Sequence, residues 1–307
     1  MSPDRFAVSI EGRDVELSNL DKLMYPAAGF TKGEVIDYYT RIAPVMLPHL
    51  RDRAATRIRY PNGVDGAHFF EKNKPGGTPD WVRLEKLPVP GSTKSRETIE
   101  FVVVDDLPTL VWVANLASIE LHTPQWRIGA DPDLLVVDLD PGAPAGLKEC
   151  CAVGVLMRDR LAADGIDAYP KTSGKKGMQL CCPVSGTQSA EVVSAYAKKV
   201  AEELAAMVPG SITAKMAKAV RPGKIFIDWS QNAAAKTTVT PYSLRAGAEP
   251  TASTPLTWDE VIAMATGEAE ARQFGAGEAL ARAEEHGDLL ADLLRPGNAV
   301  PEPDRRR

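Results

Sequence analysis

The chain has 307 residues, 44% hydrophobic and 25% charged, with a formal net charge of −5. This is an ordinary globular composition, large enough for one large or two small domains, and its negative balance argues against an all-over basic nucleic-acid coat. No apolar run reaches the ~18 residues of a membrane span, and Met1-Ser2-Pro3-Asp4-Arg5 lacks the charged-then-apolar form of a signal peptide, so a cytoplasmic protein is expected.

In chain order, residues 6–10 and 14–17 read as a short hairpin. Thr31-Lys32-Gly33-Glu34 has capping-box spacing and predicts a helix with Val35, Tyr38, Ile42 and Val45 inward, ending near Pro48. Thr56 to Tyr60 alternates as a strand with Arg57 and Arg59 on one face. A turn-rich loop spans Pro75 to Pro79, and a polar loop spans residues 88–98. Phe101 to Val104 reads as a buried strand, and Leu107, Leu110, Val111, Ala114 and Ala117 mark a helix. Ile119 to His122 and residues 134–140 are strands. A helix from about 147 stops at Gly165. Ala168 to Lys171 and Met178 to Cys182 are strands around a glycine loop. A helix over 190–207 turns Val193, Ala197, Val200 and Leu204 inward. Lys224 to Trp229 is a strand, and helices at 257–266 and 277–294 follow. One catalytic unit over 1–295 with two lobes is expected, and a loose tail over 296–307. The two cysteine pairs, Cys150-Cys151 and Cys181-Cys182, lack zinc-knuckle spacing and read as buried reduced thiols.

The chemistry concentrates at Leu134-Leu135-Val136-Val137-Asp138-Leu139-Asp140-Pro141-Gly142. Residues two apart on a strand share a face, so Asp138 and Asp140 project together from the end of an apolar strand. Like charges held that close raise each other's pKa unless a cation lies between them, and a hard divalent ion with oxygen ligands is the simplest relief. Asp228, ending another strand, is the natural third ligand. The alternative for it is an ion pair with a nearby lysine. Three carboxylates would hold two metals roughly 3.5–4 Å apart. From Gly210 to Ala248 there are six basic residues and one acid, whereas Leu256 to Asp292 has nine acids and two bases. That local basic stripe reads as a phosphate-binding or simply solvated surface.

Thr172-Ser173-Gly174-Lys175-Lys176-Gly177 offers backbone N–H groups and lysines to an anion, without Walker A spacing; a plain tight hairpin is the alternative. His122 reads as catalytic or as a hydrogen-bonded structural histidine. Phe69-Phe70 beside Arg59 and Lys72 reads as a base-stacking platform or a buried aromatic pair. A strand ending Asp-x-Asp also opens the haloacid-dehalogenase phosphatases, but Gly142 stands where they carry Thr or Val, and no downstream Asp-Asp pair is evident.

These motifs fall in one order. Asn19-Leu20-Asp21-Lys22 and Tyr25-Pro26 precede Arg59-Tyr60-Pro61-Asn62-Gly63 and Phe69-Phe70-Glu71-Lys72-Asn73. Leu121-His122-Thr123-Pro124-Gln125-Trp126, Asp138-Leu139-Asp140-Pro141 and Thr172-Ser173-Gly174-Lys175-Lys176-Gly177 come next. Phe226-Ile227-Asp228-Trp229-Ser230-Gln231-Asn232 and Pro241-Tyr242-Ser243-Leu244-Arg245 complete the set. Together they resemble the polymerase domain of bacterial ligase D, in the archaeo-eukaryotic primase superfamily, from about residue 15 to 294. No ligase or nuclease module accompanies it, as expected of a stand-alone relative or an excised domain.

The resemblance implies an α/β (α+β) primase-polymerase fold, two lobes around a central mixed sheet with a metal-binding cleft. It implies a nucleotidyltransferase that adds ribonucleotides or deoxynucleotides to a DNA 3′ end at short gaps or double-strand breaks. Asp138, Asp140 and Asp228 match the metal triad for Mn²⁺ or Mg²⁺, and His122 matches the catalytic histidine. Ser173, Lys176, Gln231 and Arg245 match nucleotide-binding positions. Arg221 matches a basic residue near the primer terminus. Asn19, Lys22 and Lys32 match a pocket for the DNA 5′-phosphate, with Arg59, Phe69 and Phe70 as further DNA contacts. The 88–98 loop falls where members carry a hairpin that helps align two ends. Ile58 departs from the pattern, replacing a lysine. Partners implied are gapped or broken DNA, NTPs or dNTPs, the Ku end-binding protein and a separate ligase, in a nucleoid-associated cytoplasmic setting. A non-catalytic binder of DNA ends and a primer-independent primase are the alternatives.

Overall fold

The computed structural model describes residues 5–89 and 97–302, which cluster into two compact units. The first draws on Met1–Pro124, Val239–Ala252 and Gly275–Gly287; the second on Gln125–Thr238, Ser253–Phe274 and Asp288–Arg307. Among the described residues no helix is long and apolar enough to cross a membrane.

The first unit opens with the expected hairpin, Arg5–Ile10 against Arg13–Ser18. Its main helix, Lys32–Leu50, starts at the capping box read from the sequence. Thr31 Oγ1 accepts from the Glu34 N–H at 3.2 Å, and Glu34 Oε2 accepts from the Thr31 N–H at 2.7 Å. Such a cap contributes about 1 kcal/mol. The helix does not stop at Pro48 but runs to Leu50, passing both Pro44 and Pro48. An interior proline costs about 3 kcal/mol in isolation. Here burial of Val35, Tyr38, Tyr39, Ile42, Met46 and Leu50 along one face outweighs it. Met46, rather than Val45, takes the innermost place in the fourth turn.

The sheet beneath has four strands in the order Thr238–Val239, Ser118–Thr123, Thr56–Arg59, Phe69–Glu71, neighbours among the last three being antiparallel. Arg57 pairs with Glu71 and Leu121, whereas Ile58 pairs with Phe70 and Glu120. Cross-strand partners share a face, so Ile58, Phe70, Glu120 and His122 lie on one side, and Arg57, Arg59, Phe69 and Glu71 on the other. A second hairpin pairs Leu84–Pro88 with Thr98–Val102. The central residues of the 88–98 loop, 90–96, lie outside the described residues. Helix Leu107–Asn115 is capped by Asp106, whose Oδ1 accepts from the Thr109 N–H at 2.9 Å. The helix expected over 277–294 ends sooner, as Ala276–His286, because Gly287 takes a positive φ of 66°; a short 3-10 turn, Ala291–Leu294, follows.

The second unit is a five-stranded sheet in the order Tyr169–Thr172, Met178–Pro183, Leu134–Pro141, Ile225–Asp228, Ile212–Thr213. All neighbours are antiparallel except the last pair. The aspartate strand is central. Leu135, Val137 and Leu139 turn to helices Leu147–Ala162, Ala190–Met207 and Trp258–Thr266, where Cys150, Cys151, Met157, Val193 and Val261 are buried. The alternate residues face the other way. There Val136 packs with Cys181, Leu290 and Leu293, and Asp138 and Asp140 occupy the end left without an apolar cover. All four cysteines are free and buried, as expected. Asn232 extends the ladder past the end of its strand: its side chain accepts from Val136 N–H and donates to Val136 O, both at 2.8 Å.

Part of the tail expected over 296–307 is held among the described residues. Gly297 N–H bonds to Val184 O at 3.2 Å, Val300 N–H bonds to Gln188 Oε1 at 2.7 Å, and the Val300 side chain is buried. A short apolar anchor and two backbone hydrogen bonds thus hold a segment whose composition reads as polar and proline-rich. The mixed α/β class expected from the sequence is the class observed.

Candidate active site

In the second unit the strand register sets Asp138 directly opposite Asp228, and Asp140 opposite Phe226. Carboxylate oxygens of Asp138, Asp140 and Asp228 fall within 4.8 Å of one another. Among the described residues Asp228 is not paired with a lysine. Its Oδ1 accepts from Ser230 Oγ at 2.6 Å and Ser230 N–H at 3.1 Å, and its Oδ2 accepts from Gln231 Nε2 at 2.8 Å. Gln231, matched to a nucleotide contact, therefore orients a carboxylate of the cluster. Asp138 Oδ1 accepts from Gln179 Nε2 at 3.0 Å.

Burial first, then the Asp140 charge, pushes the Asp138 carboxyl up from the ordinary 3.8 to about 7; the Gln179 hydrogen bond works against this, and Asp228 adds to it. A cluster that resists full ionisation by itself, with oxygen donors only, suits a hard divalent ion such as Mn²⁺ or Mg²⁺. Between about pH 4 and 7 the folded chain holds a proton on Asp138 that the unfolded chain has lost. That contribution to stability is complete below about 4 and gone above about 7. In EDTA, the melting temperature of Asp138→Asn minus that of the parent is expected to grow by a few degrees from pH 5 to pH 8. Mn²⁺ at pH 8 should raise the parent's melting temperature and leave the variant's nearly unchanged. A pH-independent difference would remove the charge conflict.

Arg221 stacks over the Phe226 ring, 3.6 Å from guanidinium carbon to centroid, and donates to Met216 O at 2.6 Å. Because Phe226 is the cross-strand partner of Asp140, a cation is fixed on the aspartate side of the sheet. The Ser173–Gly177 loop is held by its own serine and by Gln273. Ser173 Oγ accepts from Lys175 and Gly177 N–H groups at 3.2 Å each, and Gln273 accepts from Gly174 N–H at 2.7 Å and donates to Gly177 O at 3.0 Å. Most of the amides offered by the sequence as an anion cradle are thus spent on the loop itself. Lys175 and Lys176 remain as exposed cations.

In the first unit, His122 Nε2 lies 3.0 Å from Glu120 Oε2, and Arg245 Nε lies 3.2 Å from the same oxygen. Glu120 is 1% exposed and also accepts from Ala246 N–H at 3.0 Å. One buried carboxylate therefore orients both side chains. As a carboxylate can only accept, the neutral His122 ring carries its hydrogen on Nε2, and Nδ1 is the basic nitrogen. Phe70 meets the His122 ring edge-on at 6.5 Å between centroids. Ile58, at the departed position, is buried on this face and brings no charge.

Arg59, on the opposite face of that sheet, bears electrostatically on Lys32, one of the residues matched to a 5′-phosphate pocket. Asn19 adopts φ 53° and accepts from Lys22 N–H at 3.1 Å; Lys32 N–H bonds to Lys22 O at 2.8 Å. Lys22 is exposed and reaches Asn62 at 3.2 Å, whereas Lys32 is buried, its Nζ 2.6 Å from Ser18 O. Burial, then the Lys22 and Arg59 charges, lowers the Lys32 ammonium to about 8. Arg59 belongs to this cationic group, although its guanidinium also bonds Glu71 Oε1 and Leu116 O at 2.8 Å each. Phe69 and Phe70 are exposed, 54% and 57%, which rules out a buried pair. Alternation sends them to opposite faces, so they do not form one platform.

Sequence reasoning missed Glu120, Gln179, Lys171 and Gln273. None has a motif of its own. Only Gln179 carried a signal, a polar residue in an otherwise apolar strand.

A family profile described as "LigD, primase-polymerase domain" matches residues 31–290. The multifunctional non-homologous end joining protein LigD of Mycolicibacterium smegmatis is 42% identical over 284 residues, 91% of this chain and 36% of that protein. The bifunctional LigD of Bacillus subtilis is 33% identical over 80% of this chain and 39% of its own length. The chain thus spans well under half of these curated relatives. The solved polymerase domain of Mycobacterium tuberculosis ligase D, in complex with DNA, matches with a TM-score of 0.85 and 38% identity, covering 91% of this chain and 97% of that one.

Proposed function

The chain belongs to the LigD primase-polymerase domain family of nucleotidyltransferases, and on that premise we propose that it extends DNA 3′ ends at short gaps or breaks. The observation that carries this reading is the three-carboxylate cluster on one sheet face, with oxygens within 4.8 Å. Asp138, Asp140 and Asp228 would hold one or two Mn²⁺ or Mg²⁺ ions. When bound, such ions neutralise triphosphate charge and lower the pKa of the attacking hydroxyl. The chain's own residues do the rest. Ser230 and Gln231 aim Asp228, and Arg221, Lys175 and Lys176 supply positive charge for phosphates. His122 and Arg245, fixed through Glu120, are the proposed nucleotide-handling pair, with Nδ1 of His122 as the proton-accepting atom. Ser173 acts by closing the lysine loop rather than as a bare ligand.

The Asn19, Lys22, Lys32 and Arg59 group is the proposed site for a DNA 5′-phosphate, with Phe69 on the same sheet face and Phe70 beside His122. Lys32, whose charged form is disfavoured by burial and by the Lys22 and Arg59 charges, gains most from a phosphate dianion. Lys32 gives this site a pH signature. Preference for 5′-phosphate over 5′-hydroxyl gapped DNA is expected to fall severalfold from pH 7 to pH 9, as Lys32 loses its proton near 8. Fluorescence anisotropy checks this, and Lys32→Met should flatten the dependence. Equal affinities for both ends at pH 7 would remove the site.

Template-primer extension with NTPs or dNTPs and Mn²⁺ tests the polymerase reading, and binding without extension would favour the end-binding alternative. Non-homologous end joining is the proposed setting, by extension from the relatives' names; Ku, a separate ligase and a nucleoid-associated cytoplasmic location are proposed on the sequence resemblance alone.

A further inference from the structure

Asp138 is one member of a row that crosses four strands. Lys171 pairs with Gln179, Gln179 with Asp138, and Asp138 with Asp228. Their side chains are chained along that row. Lys171 Nζ donates to Gln179 Oε1 at 2.6 Å, and Gln179 Nε2 donates to Asp138 Oδ1 at 3.0 Å. Lys171 also donates to Ser253 Oγ at 2.7 Å, and Ser253 Oγ donates to Thr172 O at 2.9 Å. Lys171 is 1% exposed, Gln179 4% and Ser253 0%.

From this row we infer that Lys171 and Gln179 are positioning residues that set the carboxylate of Asp138 for divalent-cation binding. The direction of the chain follows from donor chemistry. An ammonium group only donates, so Gln179 must turn its oxygen to Lys171 and its NH₂ to Asp138. Without Lys171 the amide gains a second orientation, with oxygen facing a carboxylate. The fixed donation engages Oδ1 and so directs the remaining lone pairs, those of Oδ2 above all, to the cation. Buried partners of this kind tune metal sites because they remove the ligand's freedom before the ion arrives. Ser253, anchored on backbone, holds Lys171 from the far side.

The inference rests on the reading of Asp138 as a metal ligand, and the test separates the two. Mn²⁺ affinity is measured by titration calorimetry on the whole chain for the parent, Lys171→Met, Gln179→Leu, the double variant and Asp138→Ala. Thermal melts confirm folding; should Lys171→Met fail to fold, Gln179→Leu carries the test alone. Expected is a ~10–100-fold weaker Mn²⁺ affinity in each single variant. The double variant should be no weaker than Gln179→Leu, since both break one chain. In extension assays the Mn²⁺ concentration for half-maximal rate should rise by the same factor. Parent-like Mn²⁺ affinity in Gln179→Leu, with Asp138→Ala losing it, overturns the positioning role alone. Parent-like affinity in Asp138→Ala overturns the metal-site reading itself.

Discussion

Alanine at Asp138 or Asp140 is expected to lower primer extension at least ~10³-fold while the chain stays folded. A loss of that size corresponds to roughly 4 kcal/mol of transition-state stabilisation. It follows from the charge count. Phosphoryl transfer depends on positioning and on neutralising the triphosphate, and on the proposed reading both need the ions that the three carboxylates would hold. Removing one of three leaves a site with a weaker claim on any divalent ion. Folding should survive, because the cluster is a repulsive arrangement in the metal-free protein. Asp138→Ala leaves the Gln179 amide without its acceptor, a penalty of about 1–3 kcal/mol. Asp138→Asn retains an oxygen for that amide and isolates the charge. Single-turnover extension with Mn²⁺, beside circular dichroism, checks the pair. Extension at the parental rate by either alanine variant would end the assignment.

Gly177→Ala should destabilise the protein by at least ~3 kcal/mol, with the loss read from urea unfolding. A Cβ there would stand 2.0 Å from the Leu139 carbonyl oxygen and 3.1 Å from Pro141 Cδ. Both obstacles belong to the aspartate strand, so neither yields as a flexible side-chain tip would. Relief requires the lysine loop to lift from the strand, breaking the Ser173 and Gln273 hydrogen bonds that close it. Mn²⁺ affinity should fall with stability, as Leu139 lies between the two aspartates. Gly76→Ala is the control. Nothing lies within 4 Å of a Cβ there, and an effect within ~0.5 kcal/mol is expected. A Gly177→Ala protein as stable as the parent would show that the loop does not need its close approach to the strand.

Much of the local architecture was legible in the chain because its causes are local. The capping box at Thr31 and the period of Val193, Ala197, Val200 and Leu204 act within a few residues, and the structure has both. The same holds for Asp138 and Asp140. Two residues on one strand share a face wherever the strand goes, so their convergence needed no tertiary knowledge. The helix end at Leu50 was not legible. Two prolines argue locally for an earlier stop, and only the buried face of Tyr39, Met46 and Leu50 overrules them.

What strand pairing alone decided is who stands beside whom. Asp228 is 88 residues beyond Asp140 in sequence and becomes a neighbour because its strand pairs with the aspartate strand in one register. Glu120 is the lone acid of its strand until the fold brings Arg245 to the same oxygen as His122. Phe69 and Phe70 read as one unit in the chain and are parted by the pleat. Side-chain type and spacing carry chemistry that acts along one element. Contacts across a sheet depend on register, which arises when the whole apolar core is buried at once.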